Sequence, residues 1–182
     1  MKQKNDWLIK VLYVISWIIF IGVSIDAGGV LSNTVYAIFI NPNLASHFWN
    51  YIDLSKLYEF NQALFVTLTT IMSIVTIAKA ILFYSILKIF HDQKVNFSKP
   101  FTIYLKNYLY FIAYCTFVIG AFSNWGSEII SRATIQHVIL PEVHQLKIGG
   151  SDVWLLMGFV ILVFAIIFKK GIELQSENDL TV

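Results

Sequence analysis

The chain has 182 residues, 57% of them hydrophobic and only 13% charged, whereas a soluble domain is roughly 45–50% apolar and about a quarter charged. This composition excludes an ordinary soluble domain and points to lipid as the solvent. The net charge of +2 excludes direct nucleic-acid binding, which needs clustered basic residues, and the single cysteine, Cys115, excludes an intramolecular disulfide and thiol–quinone redox chemistry.

A transmembrane helix needs about 20 mostly apolar residues to cross roughly 30 Å of hydrocarbon. Four segments meet that requirement, at about 7–29, 63–89, 104–125 and 153–168. The first reads as a retained helix and not a cleaved signal peptide. Its apolar stretch from Leu8 to Ile25 exceeds a usual signal core, and no small-x-small site follows Asp26. The fourth is short, but Lys169 and Lys170 can snorkel at one end and Trp154 can anchor the other. The expected fold is all-α: one integral membrane four-helix bundle, with short helical segments in the two outer loops and a tail at 171–182.

Lysine placement sets the expected orientation. Lys2, Lys4 and Lys10 precede the first helix; Lys88, Lys94, Lys99 and Lys106 flank the middle loop; Lys169 and Lys170 follow the last. The other two loops hold only Lys56, Arg132 and Lys147. Both termini and the middle loop are therefore expected in the cytoplasm, and an even number of crossings agrees.

In the first outer loop Asn41-Pro42-Asn43 signals a turn. Phe48, Trp49, Tyr51, Ile52, Leu54, Leu57, Tyr58 and Phe60 then suit a short amphipathic helix at the membrane surface or capping the bundle. The second outer loop has a helical-looking piece from Ser127 to about Ile139, then Pro141 and Gly149-Gly150, before Ser151 or Asp152 caps the last helix.

Small residues mark the faces by which membrane helices approach. Gly22, Asp26 and Gly29 lie on the first helix and Thr69, Ser73, Thr76 and Ala80 on the second. Ala113, Thr116, Gly120, Asn124 and Ser127 lie on the third. Ordinary packing is the first reading of these stripes and a polar substrate path the second. Lys79 beside the second stripe is the sharpest oddity, because an intramembrane charge is a functional candidate by default. Counting along the helices finds no carboxylate at its depth and puts Asp26 near the outer face, too distant to pair. Lys79 is expected to snorkel toward the cytoplasmic headgroups or to bond a tyrosine or a backbone carbonyl. Asp26, Asn124 and Glu128 are expected near the outer helix ends, as interface residues meeting water or as an outward polar pocket.

Chemistry-bearing motifs are sparse. His47, His91, His137 and His144 all fall outside the helix cores, and no zinc helix, phosphate-binding loop or nucleophile elbow occurs. His137, Glu142 and His144 form a weak metal candidate interrupted by Pro141. The expectation is therefore no metal, no cofactor and no enzymatic activity.

The chain ends Gly171-Ile-Glu173-Leu174-Gln-Ser-Glu177-Asn-Asp179-Leu180-Thr-Val182, an acidic stretch with spaced apolar residues. It reads as a frayed end or as a docking segment for a basic partner. This phrase resembles the "GxxLQxENDLTV" ending of a bacterial family of small four-helix membrane proteins of unknown function. Weaker likenesses are Asp53-Leu54-Ser55-Lys56-Leu57 and Ser98-Lys99-Pro100-Phe101-Thr102, where members often read Asn-Pro-Phe-Ser. Members are often encoded beside a helix-turn-helix regulator of the lambda-repressor type. The resemblance thus implies a bacterial inner-membrane protein that binds a cytosolic transcriptional regulator, and it carries no catalytic residues over. Glu173, Leu174, Glu177, Asp179 and Leu180 are the expected partner-binding residues. The alternatives are a small-solute transporter or channel and a structural accessory subunit.

Overall fold

The computed structural model describes residues 2–91 and 101–180. Lys94, Lys99 and Ser98–Pro100, and the closing Thr181-Val182, lie outside that range. Five α-helices follow in order: α1 Lys2–Phe39, α2 Ser55–Phe60, α3 Gln62–His91, α4 Ile103–Ile135 and α5 Ser151–Leu180. α1, α3, α4 and α5 are each long and apolar enough to cross a membrane, so the chain is a multi-pass, all-helical membrane protein.

The long helices outrun their expected limits for identifiable reasons. α1 continues ten residues past Gly29 because nothing between Val30 and Phe39 breaks a helix; Pro42 is the first residue that does. Gly29, where the first helix is expected to end, is instead a packing site inside α1. A Cβ on Gly29 would run into the Trp49 indole. The piece expected as a separate helix after Ser127 is the last part of α4, which starts at a Thr102 cap whose hydroxyl accepts from the Leu105 amide at 3.2 Å. Residues 136–150 consequently hold turns and no helix of their own. The tail, too, continues α5 as helix through Leu180.

Chain neighbours pack side by side: α1 on α3, α3 on α4, α4 on α5, whereas α1 and α5 at the two ends make no comparable contact. The four spans therefore form a row with α3 and α4 inside. Half of the apolar span of α3 is buried, against 17% and 11% for α1 and α5, which leaves the two outer helices to face lipid. α1 and α3 are held by a bond from Ser73 to the Thr34 hydroxyl, 3.0 Å, and from Thr34 to the Thr69 carbonyl, 3.3 Å. Farther along, the Phe20 ring meets Tyr84 at a tilt, 5.7 Å between centres, and the Tyr13 hydroxyl meets His91 Nδ1 at 2.9 Å. On α4, Gly120 lets Leu155 of α5 approach to 2.7 Å of where a Cβ would stand, the use of a small residue that the stripe predicts.

The first loop is compact. Residues Pro42–His47 form a 3-10 turn capped by the Asn41 side chain. Asn50 and Tyr51, with φ of 56° and 59°, then make a tight reversal in which Phe48 and Ile52 pair, the geometry of a type I′ turn. Phe48, Leu54 and Leu57 are fully buried, so the expected aromatic cap is present, broken into short turns and α2.

Candidate functional site

Beneath the two loops a connected set of polar side chains joins three of the spans. Its centre is Lys147, in the segment after Pro141. Leu146 and Ile148 on either side are fully buried, and Ile148 Cδ1 stands 2.7 Å from where a Cβ on Gly126 of α4 would be. The segment thus leaves the surface and enters the space between α1 and α4. Gly126, with no side chain, makes the room for it.

Two bonds of Lys147 fix it there. Its ammonium pairs with Asp26 Oδ2 of α1 at 3.1 Å, and its carbonyl accepts from the Lys79 ammonium of α3 at 2.6 Å. Asp26 uses its other oxygen to accept from the Trp49 indole N–H at 3.1 Å. Lys79 also sits over the Trp154 ring of α5, 5.5 Å from its centre, a cation–π contact. Trp49 itself lies against Gly29. One residue from each loop and one from each of α1, α3 and α5 are therefore joined in a chain, Trp49–Asp26–Lys147–Lys79–Trp154.

Each partner follows from local backbone. The α3 side chains lean toward the helix N-terminus, which is the loop end, so Lys79 reaches up to Lys147 and not down to the opposite interface. Lys147 has φ of 63°, a left-handed conformation costing of order 1–3 kcal/mol for a residue with a Cβ. It persists because both ends of the residue are bonded. Gly150 just beyond, at φ 74°, supplies the second sharp bend without that strain and leads into α5.

Among the described residues no carboxylate pairs directly with Lys79; its bond goes to a backbone carbonyl. The depth assigned to Asp26 needs correction. The Tyr13–His91, Phe20–Tyr84 and Thr34–Ser73 contacts set a register that puts Asp26 level with Lys79, because α1 extends well beyond Gly29. The structure does not gather Asp26, Asn124 and Glu128 into one pocket. Asn124 is exposed, and Glu128 pairs with Arg132 on its own helix at 2.6 Å. Glu173, Leu174 and Glu177 lie exposed on α5, and Asp179 and Leu180 fall in its last turn. Lys147, Trp49 and Trp154 were missed as site residues. The available signal was a lysine next to Gly149-Gly150 in a loop otherwise poor in basic residues.

Above Lys147 the two loops face one another across a cleft of about 330 Å³. One wall is Asn50, Tyr51, Ile52 and Asp53; the other is Pro141, His144, Gln145 and Lys147. The Asp53 carboxyl is held below its ordinary value, first by the Ser55 hydroxyl at 2.6 Å and then by the Ser55 amide at 2.9 Å, both on Oδ1. No group of three His, Cys, Asp or Glu side chains among the described residues converges as a metal site would require.

A family model described as "Protein of unknown function (DUF2975)" matches residues 49–182. The chain belongs to that family. The matched stretch takes in Trp49, Lys79, Lys147, Trp154 and the acidic end of α5, while Asp26 precedes it. No curated protein and no solved structure matches the chain.

Proposed function

We propose that the protein is a non-enzymatic partner, in the bacterial inner membrane, of a basic cytosolic regulator, which it docks through the end of α5. One observation carries this reading: α5 is unbroken from Ser151 to Leu180, so the acidic tail is a helical arm continuous with a membrane span. Ten residues beyond Lys170 extend it by about 15 Å. Glu173 and Glu177 are one helical turn apart, with Leu174 beside them 62% exposed. In the sequence, Asp179 and Leu180 repeat the acidic–apolar order. Such an arm fits the helix-in-groove mode of recognition, with a basic rim on the partner.

The lysine asymmetry supports a cytoplasmic position for the arm, and the resemblance of its sequence to the regulator-linked family supports a helix-turn-helix partner. The protein would then act on transcription by holding a regulator at the membrane, without touching nucleic acid itself. A solute transporter or channel, or an accessory subunit, has less support, because the small-residue stripes are taken up by packing: Thr69 and Ser73 bond Thr34, Leu155 covers Gly120 and Trp49 covers Gly29.

The test is to truncate after Lys170 and, separately, to reverse Glu173, Glu177 and Asp179 to Lys. Both variants should insert normally and lose co-purification of the helix-turn-helix regulator. Retention of that regulator by either variant, or no regulator on the full chain, sinks the reading.

A further inference from the structure

The cleft between the two loops has walls of opposite character. Asp53 keeps its carboxylate charged, with both Ser55 bonds on one oxygen, and Asn50 adds an amide beside it. Across the gap stands Lys147, whose ammonium carries three donors and gives one to Asp26. Its side chain retains a third of its surface exposed, with the exposed His144 next to it. Lys79 lies just beneath. Lys79 and Asp26 stand behind the lining, bonded to Lys147, so Lys147 is the cation that lines the cleft and Asp53 the anion.

The walls are rigid. Phe48, Ile52 and Leu54 anchor one, Leu146 and Ile148 the other. Among the described residues, three of the four non-glycine residues with positive φ, Asn50, Tyr51 and Lys147, line this cleft. Backbone strain gathers where geometry is held for a purpose, and a volume of about 330 Å³ falls in the range of small-molecule sites.

We infer that this cleft binds a small zwitterion of amino-acid or dipeptide size, its carboxylate on the Lys147–His144 wall and its ammonium on the Asp53–Asn50 wall. A purely anionic ligand would meet Asp53, and a purely cationic one would meet Lys147 over Lys79. Only a molecule carrying both charges satisfies both loops. The ligand would bridge the loops directly above the Asp26–Lys147–Lys79 chain.

Alanyl-alanine is the probe, titrated calorimetrically into the detergent-solubilised full chain. N-acetyl-alanyl-alanine lacks the ammonium and alanyl-alanine amide lacks the carboxylate. The free dipeptide should bind, and each blocked form should bind at least tenfold more weakly. Asp53→Asn should bring the free and acetylated peptides to equal affinity, and His144→Ala should weaken the free peptide while sparing the amide. Both positions are exposed, and a single cooperative unfolding transition well above the titration temperature will show that the variants fold. No heat at millimolar dipeptide, equal binding of the blocked forms, or an unaltered preference in Asp53→Asn overturns the assignment. None of these readouts depends on the regulator-docking reading, which concerns the other end of α5.

Discussion

The ammonium of Lys79 donates to the carbonyl of Lys147 across 68 residues of sequence, at 2.6 Å. A lysine in the middle of a membrane helix thus holds a loop in place, and the loop in return supplies an acceptor that no neighbouring helix offers. Removing Lys79 should release the loop without unfolding the spans. In Lys79→Leu the Lys147 carbonyl loses its partner, at a cost of about 1–3 kcal/mol. Hydrogen exchange at residues 144–150 should speed up while α3 and α4 stay protected. Unchanged exchange in the loop would show that the bond carries no weight.

Asp26 and Lys147 form a half-shielded pair, with side chains 27% and 33% exposed. Such a pair falls between a surface bridge, worth at most about 1 kcal/mol, and a fully buried one. Asp26→Asn preserves an acceptor for Trp49 and removes only the charge. A double-mutant cycle with Lys147→Met should give a coupling of about 1 kcal/mol, read from unfolding in mixed micelles. A coupling near zero would mean that the two groups are held in place by other contacts.

Gly29 is required by Trp49. Gly29→Val should drive the indole out of its site against α1, breaking its bond to Asp26 and shifting tryptophan emission to the red. Trp49→Ala in the same chain should restore the unfolding midpoint, because the clash then has no second partner. If the double variant stays as unstable as the single one, the glycine serves the helix itself.

The Asp53 carboxylate is held below its ordinary value of 3.8 by Ser55. A depressed folded-state value contributes stability above the unfolded value, and that contribution is lost as pH falls through the lower folded value. The Ser55 amide should therefore keep its protection at neutral pH and lose it in acid below about pH 4. Asp53→Asn should make that protection insensitive to pH. Equal pH dependence in the variant would assign the effect to another group.

Orientation is open to direct measurement. A reporter fused after Val182 should be active only in its cytoplasmic form, and one inserted at Asn43 or in the exposed turn near Glu142 only in its external form. Insertion near Ile148 is unsuitable, since that residue is buried in the protein. An external C-terminal reporter would reverse the lysine-based orientation and remove the docking arm from the cytosol.

The four spans were legible because twenty-residue apolar runs have few other uses, and the packing role of Thr69, Ser73 and Thr76 was legible from helical spacing. The site was not. Ending the first helix at about residue 29 made α1 too short and put Asp26 near the outer face, which hid its match in depth with Lys79. Lys147 looked like a solvated loop residue, since periodicity carries no sign of a loop that turns inward. Both misreadings share a cause. The side-chain-free surface of Gly29 and Gly126 is filled by Trp49 and Ile148 from remote segments, and local sequence does not name the residue that will fill a glycine's space.

The chain Trp49–Asp26–Lys147–Lys79–Trp154 also has a consequence for biogenesis. Asp26 and Lys79 are synthesised early, on the first and second spans, and the residue that satisfies both comes almost at the end. Until Lys147 has emerged and folded back, a nascent chain holds an acid and a base within the hydrocarbon without their final partner, at a few kcal/mol each by translocon scales. Insertion of α1 and α3 should therefore be less secure until Lys147 is in place. A product truncated before residue 147 should be cleared from the membrane much faster than the full chain, whatever its remaining hydrophobicity.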